Sequence, residues 1–318
     1  MASDSITAKP SGQPVGFVGL GAMGLGMARS LLRAGFTVHG YDLSAAALEA
    51  LAAAGGRPVA SAAEAARAAT VLVIMVLNEG QAEDVLFGAG KAAASLPSGA
   101  VVLLCSTVSP AFVRSAAHRL AALNIDLLDA PVSGGVARAA EGRLSIMASG
   151  SPAAFAKAEP ILPALAEHLY RMGDEPGQGA TMKLVNQVLA GIHIAAAAEA
   201  LAFGARAGID PDRIYEVICN SAGSSWMFQN RVPHILADDY TPHSAIEIWL
   251  KDLGLVLETG KALHMPMPLS AVAHQLYIMA AAAGHARLDD AAVVKVFEQL
   301  AGFRVLDSRA ASTSDKPE

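Results

Sequence analysis

From residue 15 to about residue 130, short runs of apolar and β-branched residues alternate with alanine-rich stretches whose apolar positions recur every three to four residues. VGFVGL, TVHGYD, TVLVIMVL, AVVLLCST and NIDLLDAP read as strands, and residues 23–34, 44–54, 81–95 and 109–122 as the helices between them. Repeated strand–helix units of this kind predict a doubly wound parallel sheet with helices on both faces. RLSIMASG and HLYRMG add two strand-like runs on either side of a helix over 152–167. From Thr181 onward the segments are long, helical in period and almost without strand signals, so an all-α domain is expected to begin near GDEPGQG. The expected order is a flexible N-terminus at 1–14, an α/β domain at 15–178, an all-helical domain at 179–305 and a flexible tail at 306–318.

Composition narrows the class. At 318 residues, 53% hydrophobic and 16% charged, the chain has ample material for two compact cores. A net charge of −6 with no long basic run argues against nucleic acid and anionic membrane surfaces as partners. Any anionic ligand must then be held by local groups. The two cysteines, Cys105 and Cys219, lack the spacings of redox or zinc motifs, so no disulfide and no metal is expected, and both read as buried thiols. MASDSITAKPSGQP lacks a signal-peptide pattern, and nowhere do about 18 apolar residues run free of glycine or charge. A cytoplasmic location is expected.

The first candidate chemistry lies directly after the first strand. Gly19, Gly21 and Gly24 follow the spacing G-x-G-x-x-G, with VGFV before them and a helix after. In a strand–helix turn the first glycine permits the bend, the second admits a pyrophosphate and the third allows close helix packing. The α/β domain is therefore of Rossmann type, with the backbone of Leu20, Ala22 and Met23 and the positive end of the helix offered to phosphates. Asp42 ends the next strand, eighteen residues past Gly24, where a carboxylate accepts from ribose hydroxyls and repels a 2′-phosphate. NAD is thus expected over NADP; the competing reading is that Asp42 caps the helix starting near Ser44. Leu43, Leu77, Asn78 and Thr107 also follow strand ends. Asn78 and Thr107 either contact the nicotinamide ribose or satisfy loop backbone. Ser133, Gly134 and Gly135 combine a hydroxyl with unobstructed backbone N–H groups suited to a carboxylate, or else form a plain turn.

The apolar helix TMKLVNQVLAGIHIAAAAEALAFGARA carries Lys183, Asn186 and Gln187 on one face, since i, i+3 and i+4 are neighbours. A partly desolvated lysine ionises less readily and suits acid–base work near neutral pH; alternatively it snorkels from the helix start. His193, ten residues on, points about 80° away from Lys183 and is a poor base. Trp226, Phe228 and Trp249 either wall a pocket or pack a core, and Glu199 is expected to be buried among alanines, with the start of a neighbouring helix as its one candidate partner.

FVGLGAMG, DAPVSGG, the G-x-G-x-x-x-K of GQGATMK, and KDLGL at 251–255 together resemble the β-hydroxyacid dehydrogenase family, in order and at its spacing over about 15–300. AGIHIAAAAEA, NSAGSSWMFQNR and YTPHSAIEIWLKDLGLV resemble its branch acting on four-carbon sugar acids such as L-threonate. The resemblance implies NAD-dependent oxidation at C2 in a cleft between a Rossmann-type and a helical domain. It implies Lys183 as the catalytic lysine, Ser133, Gly134 and Gly135 on the substrate carboxylate, Asn186 and Gln187 on the substrate, and Thr107 and Lys251 lining the cofactor. It also implies a homodimer or homotetramer built through the helical domain. Gln187 departs from the asparagine common in that family, which fits a substrate other than hydroxyisobutyrate. Dehydrogenation of 3-hydroxyisobutyrate or reduction of tartronate semialdehyde is the rival activity. A non-catalytic NAD-sensing module or an imine reductase would need no lysine at 183.

Overall fold

The computed structural model describes residues 12–67 and 69–309. The expected flexible N-terminus lies almost wholly outside the described residues, as does most of the expected tail. Residues 306–309 of that tail are folded: Val305–Asp307 forms a 3-10 turn, and Arg309 pairs with Asp212 at 2.5 Å and donates to the Leu236 carbonyl at 2.8 Å. A guanidinium with two acceptors thus holds residues that a polar sequence alone does not tie down.

The chain divides into two compact units that meet between Lys183 and Leu184, inside the helix Gln178–Arg206. In the first, β1 (Pro14–Val18), β2 (Thr37–Tyr41), β3 (Arg57–Pro58), β4 (Val71–Ile74), β5 (Val101–Leu104) and β6 (Asp126–Asp129) run parallel in the order β3-β2-β1-β4-β5-β6. The order reverses between β1 and β4, the switch point where open α/β sheets bind ligands. The sheet continues with β7 (Val132–Ser133), β8 (Leu144–Ser149) and β9 (Ala166–Gly173): β8 is antiparallel to β6 and β7 and parallel to β9. VLVI and VVLL are buried at every residue because helices cover both faces. Val71, Val73, Val101 and Leu103 enter one core, and Leu72, Ile74, Val102 and Leu104 the other.

Local breaks differ from the periodic reading. The expected helix 81–95 is two, Glu79–Phe87 and Ala92–Ser95, separated by Gly88 and Gly90. The expected helix 152–167 ends at Ala158, just before Pro160, resumes over Leu162–Leu165 and passes into β9 at Ala166. The strand pairs at β3 and β7 and the helix Gly135–Glu141 are too short to leave a periodic signal.

The second unit is helical, built from the remainder of Gln178–Arg206 with Pro211–Cys219, Trp226–Leu236, Ile246–Ala262, Pro268–Ala280 and Val294–Ala301. Ala190, Ile194, Ala198 and Leu201 pack against Phe228, Trp249, Leu253 and Tyr277. Gly191 lets these elements approach, since a Cβ there would lie 3.0 Å from the Trp249 ring. The buried Arg231–Asp290 pair, at 2.5 Å, also receives the Trp249 indole N–H at 2.7 Å. Gln178–Arg206 has the length and apolarity of a membrane span, but half of its most apolar window is buried in the protein, as a core helix requires. Glu199, expected to be buried, is exposed and needs no partner. Cys219 is only partly buried, while Cys105 is fully so.

Candidate active site

The glycine loop leaves β1 with Gly19 at φ +94°, where a Cβ would sit 2.2 Å from the Met75 carbonyl. A Cβ on Gly24 would sit 1.9 Å from the Gly19 carbonyl, so the helix Ala22–Arg33 begins as close to the strand as backbone allows. Gly21 has open space beside it, and no side chain caps that helix. Uncapped N–H groups over an open glycine are what a pyrophosphate fits. Asp42 accepts from the backbone N–H of Leu20 at 2.6 Å and of Ser44 at 2.8 Å. The cap of the helix Ala45–Ala53 is instead Ser44, whose hydroxyl accepts from Ala47 N–H. The Asp42 carboxylate is thereby held at the rim of the glycine loop, with lone pairs left for ribose hydroxyls. Leu43 and Leu77 present exposed apolar surface after β2 and β4.

The Asn78 side-chain oxygen accepts from Gln81 N–H at 2.9 Å and caps the helix Glu79–Phe87, while Gln81 accepts in turn from Leu77 N–H. Thr107 is partly buried beyond β5, next to Ser106, whose hydroxyl accepts from Val76 N–H at 2.9 Å and ties the ends of β4 and β5 together.

β6 ends at Asp129, and Ser133 ends the short β7 that follows, paired with Ser145 of β8, before Gly134 and Gly135 at φ +138° and +74°. The helix Gly135–Glu141, two residues after Ser133, starts without a side-chain cap on its first N–H groups. Lys183 is buried on the helix Gln178–Arg206, and Gln187 one turn on is buried with it. Asn186 donates to the Gln187 amide oxygen at 2.9 Å, and Gln187 donates to the buried Asp252 carboxylate. Lys251 forms an ion pair with Asp252 at 2.5 Å. The amide at 187 is thus committed to Asp252.

Three contributors escaped the reading of the sequence: Asp129, Ser149 and Asp252. Asp129 and Asp252 lie within the motifs DAPVSGG and KDLGL, and a carboxylate inside an apolar run was the available signal. Asp129 accepts from the N–H groups of Gly177 at 3.0 Å and Ala180 at 2.8 Å and from the Ser149 hydroxyl at 3.2 Å. Burial lifts its carboxyl to about 6, against the opposing pull of these donors. The neighbouring Cys105 thiol is held far above its usual range, first by burial and then by Asp129.

The aromatics divide. Trp249 stacks on Tyr277 and Phe228 on Tyr215, both inside the helical core, whereas Trp226 is exposed. Among the described residues no group of three or more His, Cys, Asp or Glu could hold a metal ion.

Residues 14–173 match the model of the NAD binding domain of 6-phosphogluconate dehydrogenase. Residues 177–297 match that described as the NAD-binding domain of NADP-dependent 3-hydroxyisobutyrate dehydrogenase. The chain is 53% identical to the L-threonate dehydrogenase of Cupriavidus necator over 89% of its own length and 95% of the relative's. It is 48% identical to the L-threonate dehydrogenase of Escherichia coli K12, over 89% and 94%. The crystal structure of 3-hydroxyisobutyrate dehydrogenase from Salmonella typhimurium superposes with a TM-score of 0.85 at 49% identity, covering 89% of this chain and 99% of that one.

Proposed function

The chain belongs to the β-hydroxyacid dehydrogenase family, and from that premise we propose that it oxidises L-threonate at C2 to 2-oxotetronate, with NAD as its cofactor. The observation that carries this reading is identity of about half, over nearly the full length of both chains, to relatives named L-threonate dehydrogenase. The buried Lys183 and the intact Ser133–Gly135 loop support turnover over a purely sensing role.

NAD, when bound, supplies the hydride acceptor. The glycine loop would hold its pyrophosphate and Asp42 its adenosine ribose, and a 2′-phosphate on that ribose would meet the carboxylate's charge. Ser133 and the N–H groups of Gly134 and Gly135 hold the substrate carboxylate, which fixes C2 in place. Lys183 accepts a hydrogen bond from the C2 hydroxyl and takes its proton as the hydride leaves C2, so that the alcohol loses one hydride and one proton to become a ketone. Asn186 shares the lysine's helix face and is placed to bind a further hydroxyl of the sugar acid. Lys251 is read as lining the cofactor, its ammonium braced by Asp252.

Phe203, Leu269 and Val272, exposed on the helical unit, support self-association through that unit as a homodimer or homotetramer. The two free cysteines are in keeping with a cytoplasmic location. The name of the Salmonella relative keeps 3-hydroxyisobutyrate as the rival substrate. Initial rates of NADH formation with L-threonate, D-threonate, D-erythronate and 3-hydroxyisobutyrate, each with NAD+ and NADP+, test the reading. The largest kcat/KM is expected for L-threonate with NAD+, and turnover confined to 3-hydroxyisobutyrate would replace the substrate while keeping the family.

A further inference from the structure

The motif GQGATMK places two glycines ahead of the lysine, and the proposed reaction gives those glycines no task. Their surroundings supply one. A helix start leaves N–H groups without partners, and here they are taken up by side chains from two different strands. Asp129, the last residue of β6, accepts from Gly177 and Ala180, and Ser149, the last residue of β8, accepts from Gly179 at 2.9 Å. Asp129 and Ser149 are themselves the single residue pair joining β6 to β8 and are linked through the Ser149 hydroxyl. The fit is tight: a Cβ on Gly179 would lie 2.3 Å from the Met147 carbonyl and 2.9 Å from that of Asp129. Gly177 holds φ +104°, and its carbonyl accepts from the Thr181 hydroxyl at 2.7 Å. Lys183 follows Ala180 by three residues, so its side chain leaves the helix about one turn beyond the clamped amide. Ser133, Gly134 and Gly135 follow the same aspartate after Ala130, Pro131 and Val132.

We propose that Asp129 is a positioning residue for Lys183: its carboxylate clamps the first turn of the lysine helix to the end of β6 and so sets the lysine against the Ser133–Gly135 loop. The proposal rests on the assignment of Lys183 as the acid–base group. Asp129 and Ser149 do not touch substrate; they act through the backbone of residues 177–180. Asp129 Oδ1 has no hydrogen-bond partner among the described residues, so the buried charge is poorly compensated, as suits a group retained for placement rather than for stability.

The test compares the intact enzyme with Asp129→Ala and Asp129→Asn. It measures NAD+ affinity, kcat and KM for L-threonate, and trace acetylation of Lys183 by acetic anhydride, read by peptide mass spectrometry. Asp129→Ala is expected to lower kcat about 10²-fold, the scale set by a displacement of roughly 1 Å in a reacting group. NAD+ affinity should change by less than about threefold, because the glycine loop and Asp42 are untouched. Lys183 acetylation should accelerate several-fold. Asp129→Asn keeps an oxygen facing the same N–H groups and should restore kcat to within about tenfold of the wild type. Should the alanine variant not fold, Ser149→Ala removes the acceptor of the Gly179 N–H and the hydroxyl that donates to Asp129, keeps the Asp129 bonds to Gly177 and Ala180, and carries the same expectation at about fivefold. A folded Asp129→Ala enzyme with kcat within about threefold of the wild type, or with unchanged Lys183 acetylation, overturns the proposal. If the wild type oxidises none of the acids, the proposed function fails instead, and the positioning claim is decided by the acetylation ratio alone.

Discussion

Asp42 shows how far a single residue can be read before its surroundings are known. Its spacing from the glycine loop is a local property of one strand–helix–strand unit, and the structure holds the carboxylate on Leu20 N–H at the rim of that loop. Asp42→Ser is expected to shift the NAD+/NADP+ ratio of kcat/KM toward NADP+ by about tenfold or more, measured by parallel initial rates, because the charge that repels a 2′-phosphate is gone. Gln187 was legible only in part. Its face on the helix follows from the i, i+4 rule, but its engagement by Asp252, 65 residues away, does not. Gln187→Ala should cost about 1–3 kcal/mol in denaturant unfolding, since it removes a donor from a buried carboxylate. Asp129 was not legible at all as a clamp, because its partners Gly177 and Ala180 lie 48 and 51 residues on and only the folded sheet brings them to it.

At the scale of elements, strands and long helices follow from hydrophobic period, whereas their ends follow from contacts. β4 and β5 read as uniformly apolar runs because both faces are covered, and that pattern survives without any knowledge of neighbours. The break at Pro160 and the entry into β9 at Ala166 depend on a partner strand, β8, that periodicity cannot supply. The start of the lysine helix is the most constrained of these ends. Gly179→Ala, by driving a methyl into two carbonyl oxygens, is expected to lower the melting temperature and activity together, with a stability loss of roughly 2 kcal/mol or more. The Asp129 carboxylate also gives this element a pH dependence of defined sign. Its folded value, about 6, lies above the ordinary aspartate value of 3.8, so the folded state binds the extra proton and the ionised form costs stability at neutral pH. That cost is present above about 6 and disappears as pH falls toward 3.8, where both states are protonated. Asp129→Asn should therefore gain on the wild type in unfolding free energy as pH rises from 4 to 8, by an amount on the order of 1–3 kcal/mol in denaturant unfolding. Of the groups facing Asp129, the Cys105 thiol is titratable, and burial keeps it neutral throughout this range.

At the scale of the molecule, the change from alternating to helical pattern near GDEPGQG located the second unit, and the structure moves the division a few residues further, to Lys183 within the helix. The first unit owes its order to a six-strand parallel arrangement that reverses at β1 and β4, beside which the glycine loop and Asp42 stand. The second owes its order to an alanine-rich helix narrow enough for Trp249 and Leu253 to pack against Gly191. Light scattering on the eluted protein should give a dimer or tetramer if the exposed Phe203, Leu269 and Val272 are interface residues, and Phe203→Glu should shift it toward monomer. The proposed role of Lys183 is to drive NAD-dependent oxidation of L-threonate. Its most direct test is kcat for L-threonate in the wild type and in Lys183→Ala at saturating NAD+, with NAD+ affinity measured on both. A loss of about 10²-fold or more in kcat with NAD+ affinity retained is the predicted result, and a folded variant that turns over L-threonate at the wild-type rate would contradict it.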